Sequence, residues 1–113
     1  MVDQDIVVWM RFNERRRERV RELVTDELIE EHRRNPRGRH SDALDRVLRF
    51  FRVHPIPGKE IVIEAVPFRE YHVGVMTGVP GQPAEVLDET YGSYEETLHA
   101  IFLRRVARLR EEA

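Results

Sequence analysis

Apolar residues recur at helical spacing through the first third of this chain, and charged residues surround them. The apolar positions that share one side of a helix are Trp9, Phe12, Val20, Leu23, Val24 and Leu28. We expect this helix to begin between Met10 and Asn13, with Asn13 as its N-cap. A break near Thr25 can divide it in two. The helical region should end at Asn35, because the proline that follows disfavours the α conformation in the residue before it.

Two further helices are predicted, each with an N-terminal cap. Ser41 should cap the first, and Ser93 with Glu96 should form a capping box at the start of the second. The apolar stripes are Leu44, Val47, Leu48 and Phe51 in the first helix and Tyr94, Leu98, Ile101, Phe102, Val106 and Leu109 in the second. Arginines, including Arg46 and Arg52, line the opposite side of the first helix.

Between these two helices the pattern changes to that of β-strands. Residues 60–66 are β-branched and apolar on both faces, so we expect this strand to be well covered. Residues 71–76 alternate, and the short linker between the two runs favours an antiparallel hairpin. Residues 85–88 can add a third short strand at an edge. The last helix should pack across the hairpin, because a two-stranded ribbon alone is marginally stable in water.

These elements predict an α+β fold. It has a helical N-terminal half, an antiparallel β-hairpin that a third short strand can extend, and a long C-terminal helix. With 113 residues the chain is long enough for one core but not for two, so residues 1–113 are expected to form a single domain.

Composition excludes several classes of site. The chain has no cysteine, which rules out disulfides, thiolate metal sites and cysteine nucleophiles. No apolar run approaches the ~20 residues that would cross a bilayer, and the start of the chain is acidic, so we expect a cytoplasmic protein with neither signal peptide nor membrane helix. Charge is nearly balanced, at 19 basic and 21 acidic residues.

Cations are concentrated around the loop between the second and third predicted helical segments. Eighteen of the 19 basic residues of the chain are arginine, with Lys59 the exception. Arginine pairs bidentately with carboxylates and suits partly desolvated interfaces. We therefore predict a protein-binding surface. Its residues are Arg16, Arg34, Arg37, Arg39, His40 and Arg52.

Catalytic and metal-binding patterns are weak by comparison. The only serines, Ser41 and Ser93, are both explained as helix caps, and no glycine-rich phosphate loop occurs. No two histidines have the spacing that zinc requires on one helix face. His32, His40 and His54 flank the same loop and could converge on a metal, but structural or interface roles are favoured. His99 is expected to bond to Glu95 on its own helix. We predict no catalytic, cofactor-binding or metal-binding residue in this chain.

Nucleic-acid binding is the main alternative. An arginine-rich helix-loop-helix could contact phosphates and act as a stand-alone regulatory or nucleic-acid-binding module. Two observations disfavour it: glutamates are interleaved with the arginines of the first helix, and the isoelectric point is about 6.2.

One further pattern runs along nearly the whole chain, in blocks of charged and apolar residues. The blocks are Glu14-Arg15-Arg16-Arg17, the segment from Ile29 to Gly38, Arg46-Val47 with Phe51-Arg52, and His99-Ala100-Ile101-Phe102-Leu103-Arg104-Arg105. In their order and spacing over residues 9–112 they resemble the small subunit of bacterial N,N-dimethylformamidase.

The resemblance implies that two subunits have different roles. In that family a large subunit holds a mononuclear iron and hydrolyses an amide to an amine and formate, while the small subunit supports assembly. The resemblance therefore implies that this chain is a non-catalytic accessory subunit of a hetero-oligomer. Its partner would be the large catalytic subunit, which would hold the iron, and this chain would hold no cofactor of its own.

Overall fold

The computed structural model describes residues 4–53 and 58–111 of the chain. In chain order the elements are α1 (Gln4–Leu23), α2 (Asp26–Arg34), α3 (Asp42–Arg52), β1 (Glu60–Val66), β2 (Glu70–Val75), β3 (Glu85–Val86) and α4 (Tyr94–Glu111). The predicted α+β class, with its helical first half, antiparallel strands and long last helix, is confirmed. Within these ranges, no helix combines the length and the apolar character needed to cross a membrane.

The helix boundaries follow local sequence signals in most places. The predicted break is real: α1 ends at Leu23, and the Thr25 hydroxyl accepts a hydrogen bond from the backbone N–H of Leu28 at 3.2 Å. The C-cap of α2 is Asn35, as expected from the proline after it. The predicted start of the first helix was wrong. Asn13 lies inside α1, which begins at Gln4, because the apolar positions before Asn13 continue the helical period and an interior asparagine costs less than ~1 kcal/mol.

The two predicted serine caps are confirmed. The Ser41 hydroxyl accepts from the N–H of Leu44 at 3.2 Å, and the Ser93 hydroxyl accepts from the N–H of Glu96 at 3.1 Å. The capping box at Ser93 differs from the usual motif in one hydrogen bond. The Glu96 carboxylate accepts from the N–H of Gly92, at 3.2 Å, instead of from the N–H of the cap residue itself. Each cap satisfies backbone donors that a helix start leaves without a partner.

The main core lies among the helices. Its buried members are Val20, Val24, Leu28, Leu44, Val47, Phe51, Phe102, Val106 and Leu109. The Phe51 and Phe102 rings meet edge to face with centroids 5.9 Å apart, which joins α3 to α4. Phe12, predicted to belong to this apolar side, is exposed instead, and the side chain of Trp9 lies outside the described part of the structure. Among the described side chains of α1, the core uses only those of its second half.

The sheet is a second layer beside α4. Its strands run antiparallel in the order β1, β2, β3, and Val62 pairs with Val73 in the centre of the hairpin. Tyr71 and Val73 are buried, and both β1 and β2 pack on α4, so the prediction that the last helix crosses the hairpin is confirmed. β3 adds the short edge strand.

β1 is less covered than its sequence suggested. Glu60 is its only buried residue, residues 61–63 are half-buried and its last three residues are exposed. Ile61 and Ile63 are among the half-buried residues. These two side chains fold over Gly74 of the neighbouring strand. A Cβ at that glycine would lie 2.8 Å from Ile63 Cγ1, so a larger residue there would push the isoleucines away.

A buried ion cluster joins the sheet to α4. Glu60, the first residue of β1, is only 3% exposed. Its carboxylate accepts a hydrogen bond from Arg105 Nε at 3.0 Å and another from Arg108, and Arg105 also donates to the Glu60 carbonyl at 3.2 Å. Burial alone would raise the pKa of Glu60, but the hydrogen bonds from Arg108 and Arg105 outweigh it and lower the pKa.

Replacing Glu60 with glutamine tests this cluster. We expect the free energy of unfolding to fall by about 2 kcal/mol near neutral pH, since both arginines lose their charged partner but can still reach water. Because the pKa of Glu60 is depressed in the folded state, the advantage of wild type should be constant above pH 4.5 and shrink as the pH falls below it. Urea unfolding across this range measures it.

Glu64→Gln is the matched control, because Glu64 lies on the exposed end of the same strand and glutamine keeps the acceptor that binds the N–H of Phe68. Equal stability of Glu60→Gln and wild type at pH 7 would contradict a stabilising role for the cluster.

Candidate partner-binding surface

The loop between α2 and α3, residues 35–41, is called the arginine loop because it carries Arg37 and Arg39. Its conformation is fixed from within. Gly38 adopts a φ of +98°, which glycine tolerates better than any other residue. The Asn35 side-chain amide donates to the Arg39 carbonyl at 3.3 Å, and His40 Nε2 donates to the Asn35 carbonyl at 2.8 Å. Since a carbonyl can only accept, the His40 proton sits on Nε2.

A carboxylate on α2 fixes the end of the arginine loop. Glu31 accepts from the Ser41 N–H at 2.7 Å and from the Ser41 hydroxyl at 2.6 Å. These two hydrogen bonds lower the pKa of Glu31. Ser41 therefore links α2 to the cap of α3, which sets the position of the loop between the two helices. Sequence reasoning identified the cap but missed Glu31, ten residues away.

Arg37 connects the arginine loop to the start of α4. Its Nη1 donates to Glu95 Oε1 at 3.2 Å, and its guanidinium carbon lies 4.8 Å from the centroid of the Tyr94 ring. The pKa of Glu95 is lowered by its own backbone N–H and by Arg37. Both partners are exposed, so the pair contributes little to the stability of the fold. Its main effect is to orient Arg37.

A cavity of about 280 Å³ opens beside the arginine loop. Its polar lining consists of Arg37, His40, Arg52, Arg105 and His32, together with Asp45, whose carboxylate lies 3.9 Å from His40 Nδ1. The apolar part of the lining consists of Leu48, Phe51, Leu98, Ile101 and Phe102. We call this cavity the loop pocket. An apolar floor beneath arginine side chains can receive an aromatic or acidic side chain of a partner.

The structure brings together three of the six predicted partner-binding residues: Arg37, His40 and Arg52. Among the described residues, Arg52 has no ion-pair partner. The other three lie outside the pocket lining. Arg34 pairs with Glu30 on α2 at 3.3 Å, Arg39 is exposed on the loop, and the Arg16 guanidinium lies 5.7 Å from the centroid of the Phe50 ring.

Three histidines, His32, His40 and His99, lie close together beside the loop pocket. The sequence had suggested His54 in place of His99. His32 is only 3% exposed, and its Nδ1 lies 2.9 Å from Nδ1 of His99, so one ring donates and the other accepts. The His32 ring stacks on Phe102 at 4.0 Å and lies 6.3 Å from His40. The predicted bond between His99 and Glu95 was wrong, because His99 bonds to His32. His54 lies outside the described residues.

Burial favours the neutral form of both members of this bonded pair. Burial, helped by nearby His99 and His40, lowers the pKa of His32 to about 4, and burial with nearby Arg33 lowers the pKa of His99. In residues 4–53 and 58–111, no group of three or more histidines, aspartates or glutamates is placed to hold a metal ion. The pair instead joins α2 to α4 beneath the arginine loop.

The neutral histidine pair predicts a specific pH dependence. A depressed histidine pKa contributes stability that is present above its ordinary value of 6.5 and is lost as the pH falls towards 4. Between pH 7 and 5 we expect the free energy of unfolding to drop by roughly 1 to 2 kcal/mol from His32. In His32→Phe, which keeps the contact with Phe102, this drop should be smaller. Urea unfolding at several pH values measures it.

His72→Gln is the control, because His72 lies in the sheet and donates from Nδ1 to the Leu87 carbonyl. That variant should keep the wild-type slope. An unchanged slope in His32→Phe would mean that the buried pair does not titrate as described.

The sequence of this chain is similar to those of one known protein family. The model of the family described as N,N-dimethylformamidase alpha subunit matches residues 7–113. The chain is 34% identical to an N,N-dimethylformamidase alpha subunit from Alcaligenes sp, over 89% of this chain and 80% of that protein. It is 32% identical to an N,N-dimethylformamidase alpha subunit from Paracoccus aminophilus, over 89% of this chain and 74% of that protein.

Proposed function

Because this chain belongs to the N,N-dimethylformamidase alpha subunit family, we propose that it is a non-catalytic subunit of an amide hydrolase that supports the assembly and stability of a larger catalytic subunit. The observation that carries the proposal is the extent of the match, which includes the arginine loop, the sheet and all of α4. The chemistry would be hydrolysis of an amide to an amine and formate.

We assign the catalytic step to the partner subunit. A bound iron there would activate water for attack on the amide carbonyl. In this chain the two serines and the buried histidine pair have other roles. Ser41 donates to Glu31 and caps α3, Ser93 caps α4, and His32 is bonded to His99 in the neutral form. A nucleophile needs a base within hydrogen-bond reach, and neither serine is bonded to a histidine among the described residues.

The partner would bind at the arginine loop and the loop pocket. Interface anchors are most often arginine and aromatic residues set in well-packed pockets. Arg37 is already oriented by Tyr94 and Glu95, so it would lose little conformational freedom on binding. Arg52 lines the pocket and has no ion-pair partner among the described residues. It can donate hydrogen bonds to a carboxylate of the catalytic subunit. Arg34 and Arg39 would lie at the edge of this interface, and Arg16 beyond it.

The competing function is nucleic-acid binding. It would use the same arginines to contact phosphates, and its affinity would fall steeply with salt. The ion pairs of Arg37 with Glu95 and of Arg34 with Glu30 make this surface less cationic than its sequence suggests. Those pairs favour a protein partner over nucleic acid.

The substitution Arg52→Ala tests the proposal. We expect it to weaken binding to the large-chain gene product at least tenfold, or ~1.4 kcal/mol, because it removes the lining arginine that has no ion-pair partner among the described residues. The affinity of the purified chain for the large chain can be measured by calorimetry. Arg110→Ala, an exposed arginine near the end of α4, is the matched control and should bind as wild type.

The same proteins should be titrated against duplex DNA at low and moderate salt. Submicromolar, salt-sensitive DNA binding by wild type, together with no detectable affinity for the large chain, would replace the subunit proposal with the nucleic-acid one.

A further inference from the structure

The first half of α1 carries exposed apolar side chains. Among the described side chains of this helix, the first buried residue is Val20, although the helix begins at Gln4. Val8 is 65% exposed and Phe12 is 64% exposed. These two side chains therefore have little covering from the described part of the chain.

This stretch is rich in apolar residues. Six of the seven residues from position 6 to position 12 are apolar. Val8 and Phe12 are one turn apart, so their exposed side chains are neighbours on the helix surface. With about 3.6 residues per turn, Val8 lies about 120° round the helix from Val20, which is buried in the helical core. The exposed pair therefore lies on a different face of α1 from the one that packs in the core.

The molecule is more extended than a compact domain of its size. The radius of gyration is 15.9 Å, whereas a compact domain of about 100 residues has a radius of about 13 Å. Adjacent large apolar side chains exposed on one helix favour a partner surface that covers them.

Charge indicates what kind of surface that is. Residues 11–19 contain five arginines and two glutamates. Arg11, Arg15 and Arg19 are all exposed and form a row at i, i+4 and i+8 beside Phe12. A second copy of this helix would bring the same positive charges together, which opposes self-association. The complementary surface is an apolar groove with carboxylates along its rim.

We propose that the first half of α1 docks as an amphipathic helix, through the exposed face around Val8 and Phe12, into such a groove on the catalytic subunit. This inference rests on the proposed function and adds a contact separate from the arginine loop. The row containing Val8 and Phe12 would enter the groove, and Arg11 and Arg15 would pair with acidic residues on its rim. The two contacts together would hold the partner at two places on this chain.

The substitution Phe12→Asp tests the docking. It places a charge in the centre of the proposed contact but touches no buried residue of the core, so thermal unfolding of the isolated chain should be unchanged. Affinity for the large chain should fall roughly 30-fold, as for loss of a strong interface anchor. Phe68→Asp is the matched control, because Phe68 is 88% exposed at the hairpin turn. It should leave affinity at the wild-type level.

The outcomes separate this inference from the proposed function. If wild type binds the large chain and Phe12→Asp binds equally well, the docking of α1 is wrong and the subunit assignment stands. If wild type does not bind at all, both fail. A wild-type dimer in sedimentation that Phe12→Asp abolishes would make a second copy the occupant. Binding to anionic phosphatidylserine vesicles that depends on Phe12, with unchanged large-chain affinity, would make it a membrane surface.

Discussion

The position of the sheet on α4 depends on the hydrogen bonds made by the carboxylate of Glu60. This carboxylate receives hydrogen bonds from Arg105 and Arg108 and so holds the start of β1 against α4. The other side of α4 carries Phe102 and Val106, which belong to the helical core. One helix is therefore buried by two layers. Burying charge is unfavourable unless its partners are complete, so this cluster favours one position of the sheet on α4 over others.

Signals that act within a few residues predicted most of the fold. The caps at Ser41 and Ser93 and the break at Thr25 each depend on a side chain bonding to a backbone group three residues away. What could not be predicted depends on groups far apart in sequence. Glu60 is separated by 45 residues from Arg105, and His32 by 67 from His99. Apolar periodicity also cannot tell a residue covered by its own chain from one left exposed, which is why the exposure of Phe12 was missed.

The candidate surface was predicted as a set of arginines with one histidine. The structure shows that only some of these residues lie together. Arg37, His40 and Arg52 meet at one pocket because Glu31 and Ser41 fix the arginine loop between α2 and α3. The others are held by local contacts or lie exposed on their own elements. Composition could identify the cations, but not which of them already had a glutamate as partner. The difference matters for function, since an arginine that lines a pocket contributes more to binding than one paired on the surface.

We propose that a larger catalytic chain needs this chain, which performs no hydrolysis itself. The decisive experiment measures formate release from N,N-dimethylformamide by the large-chain gene product, expressed with and without this chain, alongside this chain alone. We expect stable activity only when both chains are present, iron that co-purifies with the large chain, and no formate from this chain alone. Hydrolysis by this chain alone, or full and equally stable activity of the large chain without it, would overturn the proposal.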